Sequence, residues 1–113
     1  MKRIAIIMLV FFLAIYQAGA CENVNSSWYG SAHAGNKTAS GEIFNPNKMT
    51  AAHKTLPFGT KLKVSYKGNS VVVKINDRGP YHGNRALDIS EAAASKLGFK
   101  DKGTAKVCIE RIN

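Results

Sequence analysis

From residue 21 onward, apolar and polar residues alternate in short runs, which is the pattern of half-buried strands. The clearest run is Lys61–Tyr66, followed by a Lys67-Gly68-Asn69 turn and a second alternating run at 71–75. This arrangement predicts a β-hairpin. Further short strands, each bounded by Gly, Pro or Asn, are predicted at 26–30, 42–44, 86–89 and 104–112.

One segment has the features of a helix rather than a strand. Ser90 is a good N-cap, the alanines at 92–94 are strong helix formers, and Gly98 provides a stop. A second short helical turn is expected at 47–53. Short strands with so few helical connectors favour an all-β fold in which a small barrel closes and leaves no exposed sheet edge.

The first twenty residues differ from the rest of the chain. Lys2 and Arg3 precede an apolar run at 4–16, and small residues follow at 18–20. This order is typical of a secretory signal peptide, so we expect residues 1–20 to be removed and residues 21–113 to form one domain. A permanent membrane anchor is the less favoured alternative, because a spanning helix needs about 20 apolar residues.

Export would place the two cysteines in a compartment that permits disulfides. Cys108 alternates with apolar neighbours and shares the outward face of its strand with Lys106 and Glu110, where it can meet an N-terminal Cys21. A Cys21–Cys108 disulfide would stabilise so small a domain. The alternative is lipidation of Cys21, although Ala18 stands where the lipoprotein signal usually has Leu.

The charge balance narrows the class of partner. The formal net charge is +9, and it falls to +7 if Lys2 and Arg3 leave with the signal peptide. A basic surface favours an acidic partner. Nucleic acid is not expected, because the chain has neither a basic helix nor an aromatic-basic strand motif. No zinc spacing, phosphate loop or calcium loop is present in the sequence, so no metal or cofactor is expected.

Several blocks of residues, in order, resemble one known family. They are Ser27-Trp28-Tyr29-Gly30, Thr38-Ala39-Ser40-Gly41-Glu42, Met49-Thr50-Ala51-Ala52-His53, Leu56-Pro57-Phe58-Gly59-Thr60, Asn76-Asp77-Arg78-Gly79-Pro80 and Leu87-Asp88-Ile89-Ser90. Together, over about 26–111, they resemble the rare lipoprotein A family. The resemblance implies a six-stranded double-psi β-barrel, the fold that this family shares with expansins.

The resemblance also implies an activity. Characterised members are lytic transglycosylases that cleave the peptidoglycan bond between N-acetylmuramic acid and N-acetylglucosamine without water, leaving a 1,6-anhydro end. The expected partner is therefore the peptidoglycan glycan strand, met by a monomer in the periplasm or outside the cell. Association with a membrane is expected only if Cys21 is lipidated.

Breaking a glycosidic bond needs an acid that protonates the leaving oxygen. Asp88 lies between Leu87 and Ile89, so its side chain should leave the opposite face of the strand, and partial burial would raise its pKa. Asp77, which follows the 71–75 strand, is the second candidate acid. The alternative for Asp77 is an internal salt bridge with Arg78 that braces the barrel loops.

Glu42 and His53 fall at family positions associated with activity, and a histidine can transfer a proton near neutral pH. The alternative is that His53 is a structural histidine bridging Glu42. Where the family commonly has Asp, this chain has Asn45, which can bind a sugar hydroxyl but cannot exchange a proton. We expect the acids at 42, 77 and 88 to converge with His53 on one groove.

The remaining candidates would bind the substrate. Trp28 and Tyr29 can offer flat faces to sugar rings, although burial in the core is nearly as well supported. Thr38, Asn76 and Arg78 can hydrogen-bond sugar or peptide groups, and turn bracing would use the same residue types.

Three functions remain open at this point. The first is a lytic transglycosylase. The second is a non-catalytic, expansin-like module that binds peptidoglycan, which Asn45 favours. The third is a secreted interaction protein or inhibitor built on the same barrel.

Overall fold

The computed structural model describes residues 21–113, so the expected signal peptide at 1–20 lies outside the described residues. Six strands close into a barrel in the order β1-β5-β2-β4-β3-β6. This confirms the expected fold class, a single-domain six-stranded double-psi barrel. The elements are β1 (Glu22–Tyr29), β2 (Thr50–His53), β3 (Lys61–Tyr66), β4 (Asn69–Asp77), β5 (Leu87–Ser90), helix α1 (Glu91–Leu97) and β6 (Thr104–Arg111).

Two parallel pairs, β1 with β5 and β2 with β4, are joined by antiparallel pairs around the rest of the barrel. Because β2 runs antiparallel to β5, His53 at the end of β2 pairs with Leu87 at the start of β5. The carboxyl ends of β2 and β4 therefore lie beside the first residues of β5, and this junction carries the candidate site.

The barrel interior is filled by the apolar residues of the alternating strands, as the sequence pattern predicts. Leu62 and Val64 of β3 and Val73 and Ile75 of β4 are at most 1% exposed. Helix α1 adds Ala93, Ala94 and Leu97 to the same core. The polar residues that alternate with them are thereby turned outward.

Helix α1 begins and ends as predicted. The Ser90 hydroxyl accepts a hydrogen bond from the Ala93 amide at 3.3 Å and donates one to the Lys48 carbonyl at 2.5 Å. Gly98 ends the helix in the left-handed region at φ 99°, and its amide bonds the Ala94 carbonyl. The cap thus fixes the helix and also ties the end of β5 to the loop before β2.

Two of the predicted elements are wrong. The expected helical turn at 47–53 is instead a turn followed by β2, because the backbone of β2 pairs with β4 on one side and with β5 on the other. The expected strand at 42–44 is a single bridge between Lys37 and Ile43. In addition, β1 starts at Glu22, four residues earlier than expected, because its first half pairs with β6.

The disulfide is confirmed: Cys21 is bonded to Cys108 of β6 across a Cα–Cα distance of 5.4 Å. It lies next to the Asn23–Cys108 pairing and so crosslinks the seam between β1 and β6. The bond joins residues 87 positions apart, which removes much of the conformational freedom of the unfolded chain. Within residues 21–113, none of the helices has the length and apolar character needed to cross a membrane.

We expect replacement of both Cys21 and Cys108 by Ser to lower the free energy of unfolding by about 2–5 kcal/mol, because the loop that the bond closes is long. Denaturant unfolding of both proteins, with and without reductant, measures this difference. Reductant should destabilise only the wild type. Equal midpoints in the absence of reductant would show that the crosslink does not contribute.

Candidate active site

A β-bulge shapes the end of β4. Ala51 of β2 pairs with Ile75, but the next residue, Ala52, pairs with Asp77, so Asn76 is the extra residue. Without the bulge, Asp77 would share the inward face of Val73 and Ile75. The bulge instead turns the Asp77 side chain to the outer face of the barrel.

Strand register then places two acids in one line. Asp77 pairs with Ala52, Ala52 pairs with Asp88 of β5, and Asp88 pairs with Ser27 of β1. Paired residues project from the same face of a sheet. We call these four residues the acid row. Because adjacent strands are about 4.8 Å apart, the backbones of Asp77 and Asp88 lie about 10 Å apart, and only the methyl group of Ala52 lies between them.

Asp88 occupies a partly buried position in the acid row. Ser27 donates its hydroxyl to Asp88 Oδ1 at 2.9 Å, and Arg85 Nη1 donates to the same hydroxyl at 2.7 Å. Burial raises the pKa of Asp88, and the Ser27 hydrogen bond and the Arg85 charge only partly oppose this effect. The pKa of Asp88 is therefore displaced in the direction that a general acid requires.

Asp77 serves as a hydrogen-bond acceptor. Its Oδ1 receives the backbone amides of Ala39 and Arg78, each at 2.9 Å, and its Oδ2 receives the Tyr29 hydroxyl at 3.4 Å. The carboxylate thus ties the 38–42 turn to the end of β4. Because its oxygens accept these bonds, Asp77 is better suited than Asp88 to stabilise positive charge nearby.

Tyr29 hydrogen-bonds Asp77 and is close enough to Asp88 to feel its charge. Its ring stacks on Phe44 with centroids 4.4 Å apart, and His33 approaches it edge-on at 5.7 Å. Burial, followed by the charges of Asp77 and Asp88, raises the pKa of Tyr29, so the phenol remains a donor at any physiological pH. Tyr29 therefore lies beside Asp77 with one ring face covered by Phe44, and its binding to a sugar ring stays a prediction.

Glu42 lies beside the acid row and not within it. It helps to line a cavity of about 320 Å³, here called the Glu42 cavity, which is lined by Glu42, Ile43, Asn45, Lys48, Thr50, Lys74 and Asn76. Its carboxylate accepts hydrogen bonds from Lys74 Nζ at 2.8 Å and Asn76 Nδ2 at 3.0 Å. These bonds, above all the one from Lys74, lower the pKa of Glu42.

His53 does not join the acids, which corrects the expectation of a single groove. Its Nδ1 accepts the amides of Thr55 and Leu56, both at 3.1 Å, so the ring caps its own loop. Burial and the charge of Arg78 lower the pKa of His53. The alternative in which His53 bridges Glu42 is wrong as well, because the Glu42 oxygens bond Lys74 and Asn76.

Arg78 braces the same loop. Its Nη1 donates to the carbonyls of His53 at 3.2 Å and Leu56 at 2.9 Å, and its guanidinium lies 4.0 Å from the Phe58 ring centroid. In the described part of the chain, its side chain forms no ion pair with Asp77. The suggested internal salt bridge is therefore wrong, although the bracing role is correct.

Two predicted sugar-binding residues have structural roles. Trp28 alternates with Ser27 and Tyr29, so it leaves the opposite face of β1, packs against the core and donates its indole N–H to the Lys100 carbonyl at 3.0 Å. Thr38 is 8% exposed, and its hydroxyl donates to the Glu42 carbonyl at 2.9 Å. Neither side chain faces the acid row.

Asn45, the departure from the family pattern, lines the Glu42 cavity and is separate from the acid row. Its Oδ1 accepts the Asn47 amide at 2.9 Å, which fixes the turn before β2. An aspartate would make the same bond. The change from Asp to Asn therefore leaves the pair of acids intact.

Four residues at the site were not predicted from the sequence: Ser27, Arg85, Phe44 and Ala52. A period-two signal was available for Ser27, which lies two residues before Tyr29 on the same face of β1. The place of Ala52 in the acid row depends on strand register, which the sequence does not show. For Arg85 and Phe44 no sequence signal was available, since loops bring both to the site. Within residues 21–113, no three His, Cys, Asp or Glu side chains are grouped so as to hold a metal ion.

The closed barrel and the outward pair of aspartates define a double-psi β-barrel protein with an acidic surface site. Residues 21–109 match the family model described as lytic transglycolase. The chain belongs to this family, the rare lipoprotein A double-psi barrels.

Curated relatives have the same family name. The chain is 54% identical over 90 residues to the endolytic peptidoglycan transglycosylase RlpA of Neisseria meningitidis, covering 78% of this chain and 38% of that protein. It is 42% identical over 114 residues to the protein of the same name from Campylobacter jejuni, covering 99% and 42%. The chain thus spans about two fifths of the length of these relatives.

Solved structures share the fold at lower identity. A Streptomyces papain inhibitor superposes with a TM-score of 0.69 at 22% identity, covering 84% of this chain and 96% of the inhibitor. An expansin mutant from Clavibacter michiganensis, in complex with cellohexaose, superposes with a TM-score of 0.68 at 16% identity, covering 83% and 51%. These likenesses show the fold alone.

We expect Asp88→Asn to be more stable than the wild type at pH 7. Because the folded-state pKa of Asp88 is raised above its ordinary value of 3.8, the unfolded chain releases this proton first as pH rises. The wild type therefore loses stability through that interval, whereas Asn stays neutral and still accepts from Ser27. Melting temperatures from pH 3 to pH 7 test this, and a gap that widens at low pH would contradict it.

Proposed function

We propose that this protein is an exported lytic transglycosylase that cleaves glycan strands of peptidoglycan, with Asp88 as the general acid. The observation that carries the proposal is the acid row, in which one carboxyl has a pKa raised by burial next to a second carboxylate that acts as an acceptor. Unequal environments for two neighbouring acids are the usual basis of an acid and charge-stabiliser pair. The names of the relatives support the same substrate.

The reaction follows from these roles. Asp88 gives its proton to the oxygen that links N-acetylmuramic acid to N-acetylglucosamine, and the bond from that oxygen to C1 of the muramic acid breaks. Asp77 stabilises the positive charge that develops at C1. The C6 hydroxyl of the same sugar attacks C1, and its proton returns to the Asp88 carboxylate. No water is consumed, and the product has a 1,6-anhydro end.

Ser27 and Arg85 orient the acid. The chain of donors runs from Arg85 to the Ser27 hydroxyl and from that hydroxyl to Asp88 Oδ1. Oδ1 is thereby held as an acceptor, which leaves Oδ2 to carry the proton. The Tyr29 hydroxyl donates to Asp77 Oδ2 and so helps to orient the second carboxylate.

We further propose that the protein acts as a monomer in the periplasm or at the cell exterior, with the Cys21 sulfur in the disulfide and not lipidated. A Cys21 sulfur that is bonded to Cys108 leaves no free thiol for a lipid to be attached to, which supports this choice. The positive net charge supports attraction to the carboxylates of peptidoglycan stem peptides.

The second candidate is a non-catalytic module that grips the glycan. The observation in its favour is the likeness to an expansin whose structure contains cellohexaose. The main sequence argument for a binding module was Asn45, which stands where the family commonly has Asp. Because Asn45 lies outside the acid row, that argument no longer holds. The two functions predict different products from the same substrate.

We expect the purified protein to release 1,6-anhydro-muramic products from sacculi, and Asp88→Asn to lower kcat/KM by about 10²–10⁴-fold, the usual contribution of a general acid. Mass spectrometry of soluble products, from intact and amidase-stripped sacculi, makes the measurement. Asp101→Asn is the matched control, because Asp101 is an exposed residue of the turn before β6 and is not part of the acid row.

A pH profile separates the two aspartates. If Asp88 is the acid, kcat/KM falls as pH rises through its raised pKa, and Asp88→Asn removes that limb. Asp77→Asn lowers the rate and moves the limb slightly toward lower pH, because the charge of Asp77 is the smallest of the effects that raise the pKa of Asp88. Sedimentation with sacculi and no anhydro products would favour the binding module, and full activity of Asp88→Asn would reject the proposed acid.

A further inference from the structure

We infer that the Glu42 cavity is a binding site for the acetamido group of an N-acetylated sugar. The inference rests on the proposed function in taking its ligand from the same glycan, but it concerns a different part of the surface. At about 320 Å³, the cavity lies at the lower end of the range for small-ligand pockets.

Two buried polar groups of the cavity lack partners. Thr50 is 7% exposed and Asn76 is 3% exposed, yet Thr50 Oγ1 and Asn76 Oδ1 bond no other group among residues 21–113. Buried polar atoms without a hydrogen bond are costly and rare in folded proteins. Both oxygens are shielded from solvent, so a ligand that pairs with them must first displace the side chains that cover them, and the pairing would then remove this cost.

The bonds already formed define what the ligand must offer. Asn76 Nδ2 donates to Glu42 Oε1, so the amide orientation is fixed and Oδ1 is the free atom, which can only accept. The Thr50 hydroxyl can donate. The ligand must therefore bring one donor and one acceptor, which is what the N–H and C=O of an acetamido group provide.

Hydrogen bonding, and not charge, disfavours an anionic ligand. Glu42 and Lys74 form an ion pair at 2.8 Å, and Lys48 adds a second positive charge to the lining. An anion could pair with Lys48 but has no hydrogen to donate to Asn76 Oδ1. Ile43, which is 57% exposed, gives the methyl of an acetamido group an apolar contact at the rim.

The bulge connects the cavity to the acid row. Asn76 lines the cavity and Asp77 belongs to the row, and consecutive Cα atoms are 3.8 Å apart. A sugar whose acetamido group enters the cavity therefore has its ring next to the acids. In this arrangement, N-acetylation of the glycan sets where the strand binds.

The test compares two β-1,4-linked tetrasaccharides, chitotetraose with acetamido groups and cellotetraose with hydroxyls at the same carbon. The probe is the purified Asp88→Asn protein, titrated by NMR. We expect chitotetraose to bind about tenfold more tightly and to shift the amides of Thr50 and Asn76. The loss of one neutral hydrogen bond in Thr50→Val should reduce this preference about three- to tenfold.

Thr60→Val is the matched control. Thr60 is 2% exposed and its Oγ1 also lacks a partner among the described residues, but it does not line the cavity. Both valine variants replace a buried, unpaired hydroxyl by a methyl group of similar size, so both should keep the melting temperature of the parent. Only Thr50→Val should lose the preference for the acetylated sugar.

Equal binding of the two tetrasaccharides, no binding of either, or an equal effect of both valine variants would overturn the inference. So would sodium acetate that shifts the Thr50 and Asn76 amides more strongly than chitotetraose does. The lytic assay is independent. A preference for chitotetraose in a protein that releases no anhydro products would support the cavity and reject the activity, and the reverse result would reject the cavity alone.

Discussion

The site depends on the bulge at Asn76, where β4 takes one residue more than β2. A regular strand would bury the Asp77 carboxyl among the apolar side chains of the barrel, where an unpaired charge is very costly. The extra residue turns Asp77 outward into line with Asp88 and leaves Asn76 facing the neighbouring cavity. One irregular position thus supplies both an acid of the row and a wall of the adjacent site.

Much of the fold follows from local pattern. The β3–β4 hairpin, the capped helix and the disulfide could be predicted, because alternation, capping residues and cysteine placement are properties of the sequence itself. The 47–53 segment could not, since Ala51 and Ala52 are good helix formers and only their fit between two strands makes β2. Tertiary packing therefore overrides the helix propensity of this segment.

The site was predictable to a smaller extent. The partial burial of Asp88 could be predicted from its position between two apolar strand residues. The presence of Tyr29 near the site could be predicted from the Ser27-Trp28-Tyr29-Gly30 block. The separation of Glu42 and His53 from the acids was not predictable, because it depends on the bulge and on how the 53–56 loop closes on the His53 ring. Family motifs identify which residues occur together in sequence, and they do not show which of them face one another.

A serine hydroxyl separates Arg85 from Asp88, and this spacing has a chemical consequence. In direct contact, a guanidinium would stabilise the carboxylate and lower its pKa, so the acid would lose its proton to solvent and have none to deliver. Because the Ser27 oxygen lies between them, the Arg85 cation orients the Asp88 carboxyl group but is too distant to cancel the rise in its pKa. The strength of the proton donor is therefore tuned by the length of a single short side chain.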